Sequence, residues 1–224
     1  MIQRTRNSWL LGALAIALVS TTAEARKYPD TTEEGLQRVK DSNMQAVYLA
    51  PDADLTGYSK IMLDTADVAF KKDWQRNIER SSRTRVSESD MARIRESLAA
   101  DFDAVFRKEL SEGGYELVDS AGENVLRISP SIVDLYVNAP DLRQAGRVDS
   151  YTESAGYMTL NLDLHDSSTG QLIARGIDRR EDPRRGYAQW TTSVSNKAAA
   201  DRILKRWAKT LREGLDEATQ LGGS

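Results

Sequence analysis

The chain has 224 residues, of which 40% are hydrophobic and 29% are charged, and its formal net charge is −3. This composition is typical of a globular protein, and the mildly acidic balance argues against nucleic-acid binding, which needs a basic surface. The sequence contains no cysteine, which excludes disulfides, thiolate catalysis and thiolate metal sites.

The first 25 residues have the pattern of a secretory signal peptide. Two arginines precede the apolar run 9–19, which is too short to span a bilayer, and an Ala-Glu-Ala motif ends at Ala25. We therefore predict removal of residues 1–25 and an exported, periplasmic chain that begins at Arg26. An uncleaved N-terminal anchor is the alternative. Cleavage would remove two arginines and one glutamate, so the net charge would become one unit more negative.

No lipid anchor or membrane span is expected after cleavage. A bacterial lipoprotein needs a cysteine at its cleavage site, and this chain has none. No later apolar run approaches the roughly 20 residues that a spanning helix requires. We predict a soluble periplasmic protein, with peripheral association with the envelope as the alternative.

The mature chain is predicted to start with an exposed N-terminal arm, residues 26–45, that is polar and rich in charge. A short helical turn is expected near Leu36 and Val39. A single α+β domain follows over residues 46–220, and residues 221–224 should fray. Its first elements are a short extended piece, Ala46–Leu49, and a loop over 51–57.

Strands and one long helix follow. Residues 58–70 are the first strand region, whereas residues 71–86 break all periodicity and are predicted to be a long irregular loop held by Trp74 and Ile78. A helix then begins at Ser87 or Ser89 and ends at Gly113-Gly114. Its apolar stripe comprises Met91, Ile94, Leu98, Phe102, Val105 and Leu110.

The second half of the chain predicts antiparallel strands. A short strand over 115–118 precedes a long one over 125–137, in which Pro130 indicates a bulge or an edge position. After a polar loop, residues 156–178 are predicted to form a β-hairpin around the turn residues Asp-Ser-Ser-Thr-Gly. The first strand alternates cleanly and the return strand, residues 171–178, less so. The predicted inner face of the first strand comprises Met158, Leu160, Leu162 and Leu164.

A second irregular stretch, residues 179–194, precedes the final helix, which begins near Ser195 or Asn196. The apolar stripe of this helix comprises Ala200, Ile203, Leu204, Trp207, Leu211, Leu215 and Ala218. The whole pattern predicts an α+β fold with two layers, in which two amphipathic helices cover one face of a mostly antiparallel sheet.

Three segments resemble a known family. Residues 48–74, the hairpin over 160–182 and the helix over 200–216, with its central Trp-Ala, are similar in order to the domain-of-unknown-function family 3313. These are uncharacterised Gram-negative envelope proteins, many of them lipoproteins. The resemblance implies an exported, non-enzymatic envelope protein and supplies no catalytic residues. The missing lipoprotein cysteine departs from the lipidated members.

Residues that could carry chemistry are few. His165 is the single histidine, and it is predicted to lie on the solvent-facing side of a strand between Asp163 and Asp166. A zinc site is not expected from one histidine without cysteine, and we predict no catalytic residues and no cofactor. A carboxylate-dependent hydrolase using Asp163 and Asp166 is the alternative, which requires two acids across a cleft.

The strongest interaction candidates are the arginine and aromatic residues of the two irregular stretches. Arginine, tyrosine and tryptophan are the residues most enriched at binding hot spots, and guanidinium groups can pair with phosphates of lipids or glycans. The predicted partner-binding residues are Arg179, Arg180, Arg184, Arg185, Tyr187, Trp190 and Trp74.

The favoured function is therefore a periplasmic binding or scaffold module whose partner is an envelope protein or an anionic envelope component. A hydrolase acting on envelope material and a structural, oligomeric envelope component are the alternatives. Charge reversal at Arg184 and Arg185 is expected to weaken capture of the partner.

Overall fold

The computed structural model describes residues 28–82, 85–138, 150–152, 156–181, 189–191 and 193–221. Its main sheet has eight strands: β1 Gln37–Val39, β2 Ala46–Leu49, β3 Lys60–Leu63, β4 Asp67–Phe70, β5 Glu116–Leu117, β6 Val125–Val137, β8 Gly156–Asp166 and β9 Leu172–Glu181. A separate pair consists of β7 Ser150–Thr152 and β10 Gln189–Thr191. The described helices are α1 Trp74–Ser82, α2 Glu88–Glu112 and α3 Ser193–Leu221.

The main sheet is mixed. Its strands follow the order β1-β2-β9-β8-β6, and β3 and β4 then lie one after the other along the far side of β6, with β5 beyond β3. The pairs from β1 to β6 are antiparallel, whereas β3, β4 and β5 join in parallel. The predicted α+β fold is confirmed. The parallel part was not predicted, and it arises because α2 carries the chain from β3 and β4 back to the same end of the sheet.

The two long helices pack on one face of the sheet, as predicted. Phe102 and Phe106 of α2 stack with their ring centroids 3.8 Å apart, and both are fully buried. They share one hydrophobic cluster with Leu204 and Trp207 of α3 and with the inward residues of β3, β6 and β8. α2 begins after Ser87, one of the two predicted starts, with a capping box in which the Ser87 side chain accepts from the backbone N–H of Asp90.

A buried carboxylate joins the helix layer to the sheet. Asp178 of β9 is 2% exposed, and its Oδ2 accepts from the indole Nε1 of Trp207 at 2.8 Å. Its carboxylate also accepts from the Arg180 guanidinium and from the backbone N–H of Gln45. A buried charge needs such partners because its desolvation is costly, so these contacts fix α3 against β9.

The stretch 71–86 was predicted to be irregular, and this was wrong. Most of it forms α1, whose Trp74 and Ile78 lie one turn apart and are both buried with Val86. Two apolar residues in a nine-residue helix are too few to produce a recognisable helical period.

The N-terminal arm packs against the body. The helical turn expected near Leu36 and Val39 was wrong, because residues 37–39 form β1 and pair with β2. Leu36 is 2% exposed and packs with Tyr48 and Ala46 of β2. A strand of three residues is too short to show a clear alternation in the sequence, so the contact with β2 decides its conformation.

The stretch 179–194 is more regular than predicted. Residues 179–181 continue β9, residues 189–191 form β10 opposite β7, and α3 begins at Ser193, two residues before the expected start. Charged residues do not interrupt a strand when each reaches solvent or a partner, as Arg180 does with Asp178. Residues 182–188 lie outside the described residues.

The predicted irregularity of β6 is displaced. Pro130 falls in the gap between the last β3 pair, Leu63 with Ile128, and the first β4 pair, Asp67 with Ser131. Its missing N–H therefore costs no hydrogen bond on that side. The bulge itself lies between Val133 and Tyr136.

The hairpin of β8 and β9 is confirmed. Its turn contains Gly170 at a φ of +73°, and Asp166 Oδ1 accepts from the backbone N–H groups of Ser168 and Thr169 at 3.0 and 2.7 Å. The four leucine and methionine residues predicted for the inner face of β8 are all buried: Met158, Leu160, Leu162 and Leu164.

Two glycine substitutions are expected to shift stability in opposite directions. Gly156 has a φ of +146°, and an added Cβ would overlap the carbonyl oxygen of Tyr136, so Gly156→Ala should destabilise the fold by about 1–3 kcal/mol. Gly214 lies inside α3 with no atom within 4 Å of an added Cβ, so Gly214→Ala should stabilise it by about 0.5–1 kcal/mol. Urea unfolding measures both changes. Equal effects of the same sign would contradict the described backbone.

Candidate functional site: an open sheet face ending in a tyrosine and arginine cluster

The sheet has a second face that points away from α2 and α3. The alternate residues of β6, β8 and β9 face outward and are neighbours across the ladder: Asn161 lies between Ser131 and Ile177, and Val133 lies beside Thr159. These five side chains are half-exposed in the described structure. We call this surface, formed by Ser131, Val133, Thr159, Asn161 and Ile177, the open face.

The same side of the sheet is covered further along, over β2. Tyr48 pairs with Arg175, which pairs with Asp163, so all three side chains lie on the outer side. There Leu36 packs on Tyr48 in a hydrophobic cluster separate from the main core. The N-terminal segment thus covers one half of the outer side and ends at Ile177, the border residue of the open face, which packs against the same cluster.

An ion-pair network marks the border between the two halves. Arg175 donates to both oxygens of Asp163, at 2.6 and 2.9 Å, and to Glu34 Oε1 at 2.8 Å. The hydrogen bond from Arg175 is the largest influence on Glu34 and helps to lower its pKa from 4.5 to about 2. Asp163 therefore serves to hold the N-terminal segment on the sheet.

This network predicts a loss of stability in acid. Because the folded-state pKa of Glu34 is lowered, its contact contributes above pH 4.5 and is lost as the pH falls from 4.5 to about 2. Glu34→Gln should flatten this part of a plot of unfolding free energy against pH. Glu33→Gln, at the exposed neighbouring position, is the control. An equal effect in both variants would show that the ion-pair network does not cause the loss of stability in acid.

The second carboxylate of the hydrolase alternative is also held in structural contacts. Asp166 accepts from the turn through Oδ1 and from the Tyr58 hydroxyl through Oδ2 at 2.7 Å. The hydrogen bond from Tyr58 is the largest cause of a lowered pKa at Asp166, opposite to the raised pKa that a general acid needs. His165 is half-exposed, and its Nδ1 lies 3.3 Å from the carbonyl oxygen of Gly170. These contacts disfavour a hydrolase built on these groups.

The open face ends in a group of aromatic and cationic side chains. The rings of Tyr136 and Tyr157 stack with centroids 5.2 Å apart, and the guanidinium carbon of Arg179 lies 3.8 Å from the Tyr157 centroid. Lys71 Nζ donates to the Tyr157 hydroxyl at 2.8 Å and lies 6.0 Å from the Tyr136 centroid. We call Lys71, Tyr136, Tyr157 and Arg179 the Tyr/Arg cluster.

The bulge in β6 brings Tyr136 into this cluster. Ile132 and Leu135 are both buried in the core, which is three residues apart rather than the even spacing of a regular strand. The extra residue, accompanied by a φ of +52° at Asp134, turns Tyr136 to the outer side beside Tyr157. Without the bulge, Tyr136 would point into the core like Ile132. Alternation in the sequence gives no sign of this change, and sequence reasoning missed Tyr136, Tyr157 and Lys71.

The structure separates the predicted partner-binding residues. Arg179 belongs to the Tyr/Arg cluster, whereas Arg180, its neighbour on the strand, points to the other side and binds Asp178 and the Asn43 carbonyl oxygen. Trp74 is 1% exposed, stacks on Phe70 at 4.1 Å and donates to the Val137 carbonyl oxygen. It is therefore a core residue, and we leave it out of the binding surface.

The other predicted residues are not placed by the structure. Arg184, Arg185 and Tyr187 lie outside the described residues, and of Trp190 the structure describes the strand pairing opposite Tyr151. Their role in binding stays a prediction.

A groove of about 370 Å³ lies on the inner side of the sheet, where α2 and α3 meet the ends of β6 and β8. Its walls are mainly apolar, and the ion pair between Lys197 and Asp101, at 2.5 Å, lies at its edge.

In the described part of the chain, no group of three or more histidine, cysteine or acidic residues could hold a metal ion. Across the same ranges, no helix has the length and apolarity needed to cross a membrane.

The fold and its surfaces define an α+β domain with one covered and one partly open sheet face. The chain belongs to the family described as protein of unknown function (DUF3313), whose model matches residues 27–211. This confirms the resemblance stated from the sequence. No curated protein matches the chain.

Solved structures give distant likenesses. The PelC dodecamer from Paraburkholderia phytofirmans is 11% identical, with a TM-score of 0.32 over 71% of this chain and 94% of that one. A minor lipoprotein from Acinetobacter baumannii is 12% identical, with a TM-score of 0.30 over 70% and 94%. A neuraminyllactose-binding hemagglutinin homolog from Helicobacter pylori is 13% identical, with a TM-score of 0.36 over 73% and 91%.

Proposed function

We propose that this protein is a non-enzymatic binding module of the bacterial cell envelope that holds its partner on the open face and the adjoining Tyr/Arg cluster. The observation that carries the proposal is that the N-terminal segment covers only one half of the outer side of the sheet. The N-terminal segment covers the β2 half, where Leu36 packs on Tyr48, while the half formed by β6, β8 and β9 keeps its side chains half-exposed.

The composition of the exposed half suits a protein or glycan partner. Small polar side chains, such as Ser131, Thr159 and Asn161, offer hydrogen bonds without bulk. The Tyr/Arg cluster adds the residue types that carry most binding energy at interfaces. A solvated outer face needs neither stacked tyrosines nor cations placed on them, so the cluster favours binding over simple solvation.

Export to the periplasm is the second part of the proposal, and the N-terminal sequence supports it. The basic residues, apolar run and Ala-Glu-Ala motif of the first 25 residues have the order of a cleaved signal peptide. N-terminal sequencing of the exported protein should find Arg26 first. A retained Met1 would contradict cleavage.

Photo-crosslinking in living cells tests the binding role. A photoreactive amino acid at Asn161, in the middle of the open face, should give one discrete adduct whose partner mass spectrometry identifies. The same residue at Arg206, which is exposed on α3, serves as the control and should give no such adduct. Both positions are on the surface, so neither change should affect folding.

The outcomes are distinct. An adduct from Asn161 alone supports the proposal, whereas equal yields from both positions, or no adduct from Asn161, would contradict it. An adduct made of two copies of this chain would instead favour a structural, oligomeric envelope component.

A further inference from the structure

The Tyr/Arg cluster contains two cations that share one tyrosine. Lys71 donates to the Tyr157 hydroxyl, and Arg179 lies over the same ring. Among the described residues, neither cation forms an ion pair with a carboxylate, in contrast to Arg107, Arg127, Arg175 and Arg212. The carboxylate that acts on Lys71 is Asp134, through its charge and without an ion pair. Two cations thus meet at one tyrosine, and Glu181, opposite that tyrosine on β9, is a second nearby carboxylate.

The hydrogen-bond geometry leaves donors available. An arginine that stacks on an aromatic ring keeps the N–H groups in its own plane free for another partner. The Tyr157 hydroxyl accepts from Lys71 and retains its own proton for donation, while the ammonium of Lys71 has further protons. The same hydrogen bond is the largest cause of a raised pKa at Lys71, so this ammonium stays charged at physiological pH.

We propose that Lys71, Tyr157 and Arg179 form a binding site for a phosphate group. Phosphate presents several acceptor oxygens around one centre, which suits a guanidinium fork, an ammonium and a hydroxyl better than a flat carboxylate does. This deepens the proposed binding role by assigning a ligand chemistry to one end of the open face. The phosphate belongs either to a lipid head group or to a soluble phosphate ester.

The site is held in place by the sheet rather than by a loop. Tyr136 of β6 and Tyr157 of β8 are paired residues. On β9, Glu181 pairs with Tyr157, and Arg179 lies two positions before Glu181. The backbone N–H of Lys71 donates to the Leu135 carbonyl oxygen at 3.0 Å. Residues from four chain segments thus keep fixed positions, which reduces the entropy lost when a ligand binds.

Two binding measurements on the full-length mature protein distinguish the sources of the phosphate. Glycerol 1-phosphate is titrated in calorimetry, and phosphatidylglycerol vesicles are compared with phosphatidylcholine vesicles in co-sedimentation. The test variant is Lys71→Gln with Arg179→Gln. The control is Lys205→Gln with Arg206→Gln, which removes the same two charge types from exposed positions on α3.

The test variant should bind at least about tenfold more weakly, since it loses two charge-assisted contacts, while the control should bind like the wild type. Tyr157→Phe keeps the stacked ring and removes the hydroxyl, and it should weaken binding several-fold. Binding to the phosphatidylglycerol vesicles alone would identify a lipid head group as the ligand. Binding to both the vesicles and glycerol 1-phosphate would show that the site also accepts soluble phosphate esters.

Equal losses in the test and control variants would show general charge attraction and overturn the phosphate site, as would the failure of the wild type to bind either probe. If the photo-crosslink from Asn161 persists in that case, the ligand chemistry is wrong and the binding role remains. Circular dichroism spectra and melting curves of the variants show whether any loss comes from unfolding.

Discussion

Trp207→Ala is expected to lower the free energy of unfolding by about 3–5 kcal/mol, the range for a fully buried aromatic side chain. Trp207 is 1% exposed at the centre of the main core. Its loss would leave a cavity between α3 and the sheet and would also remove the indole donor from Asp178. The second effect adds to the first, because a buried carboxylate that loses a partner is destabilising.

Denaturant unfolding followed by circular dichroism measures this change. Lys205→Ala, at an exposed position on the same helix, should stay within about 0.5 kcal/mol of the wild type. Trp207→Phe separates the two effects, since it refills most of the cavity but leaves Asp178 without the indole, and we expect it to cost about 1–3 kcal/mol. A Trp207→Ala variant that unfolds like the wild type would show that α3 does not pack on the sheet as described.

Trp74→Ala should cost a similar amount, about 3–5 kcal/mol. The side chain fills the space between α1, β4 and α2, stacks on Phe70 and donates to the Val137 carbonyl oxygen. Thermal melting measures the loss. Arg76→Ala is the control on the same helix, where the exposed Arg76 side chain pairs with Asp73 just before the helix, and it should change stability little.

The same variant separates a structural role from a binding role. At a temperature where Trp74→Ala is fully folded, the yield of the photo-crosslink from Asn161 should equal that of the wild type. Normal melting combined with a lost crosslink would show that Trp74 contacts the partner, as the sequence first suggested.

The fold class follows from the sequence because its main elements are long and periodic. β8 alternates over its 11 residues before an Asp-to-Gly turn, and α2 carries both a capping box and an apolar stripe. Short elements have too few residues to show a period. β1 and α1 were therefore missed, since pairing with β2 and the burial of Trp74 determine their structure.

The candidate site was predicted less completely, for a geometric reason. Arg179 and Arg180 are alike in sequence, yet the alternation of β9 sends one to the Tyr/Arg cluster and the other to Asp178. The bulge beside Asp134 changes the side to which Tyr136 points. Both facts depend on the register of three strands, and residue types along the chain do not encode the position of a bulge.

The central claim is that a partner covers the open face in the cell, and cysteine labelling tests it most directly. The chain has no native cysteine, so a single cysteine at Thr159 reports on that surface alone, and a cysteine at Arg206 reports on the exposed side of α3. A maleimide reagent that enters the periplasm should label the Thr159 variant quickly as purified protein and slowly in cells, while the Arg206 variant should react equally fast in both. Equal rates for the Thr159 variant in cells and in solution would mean that the open face stays uncovered, and the binding role proposed for it would be wrong.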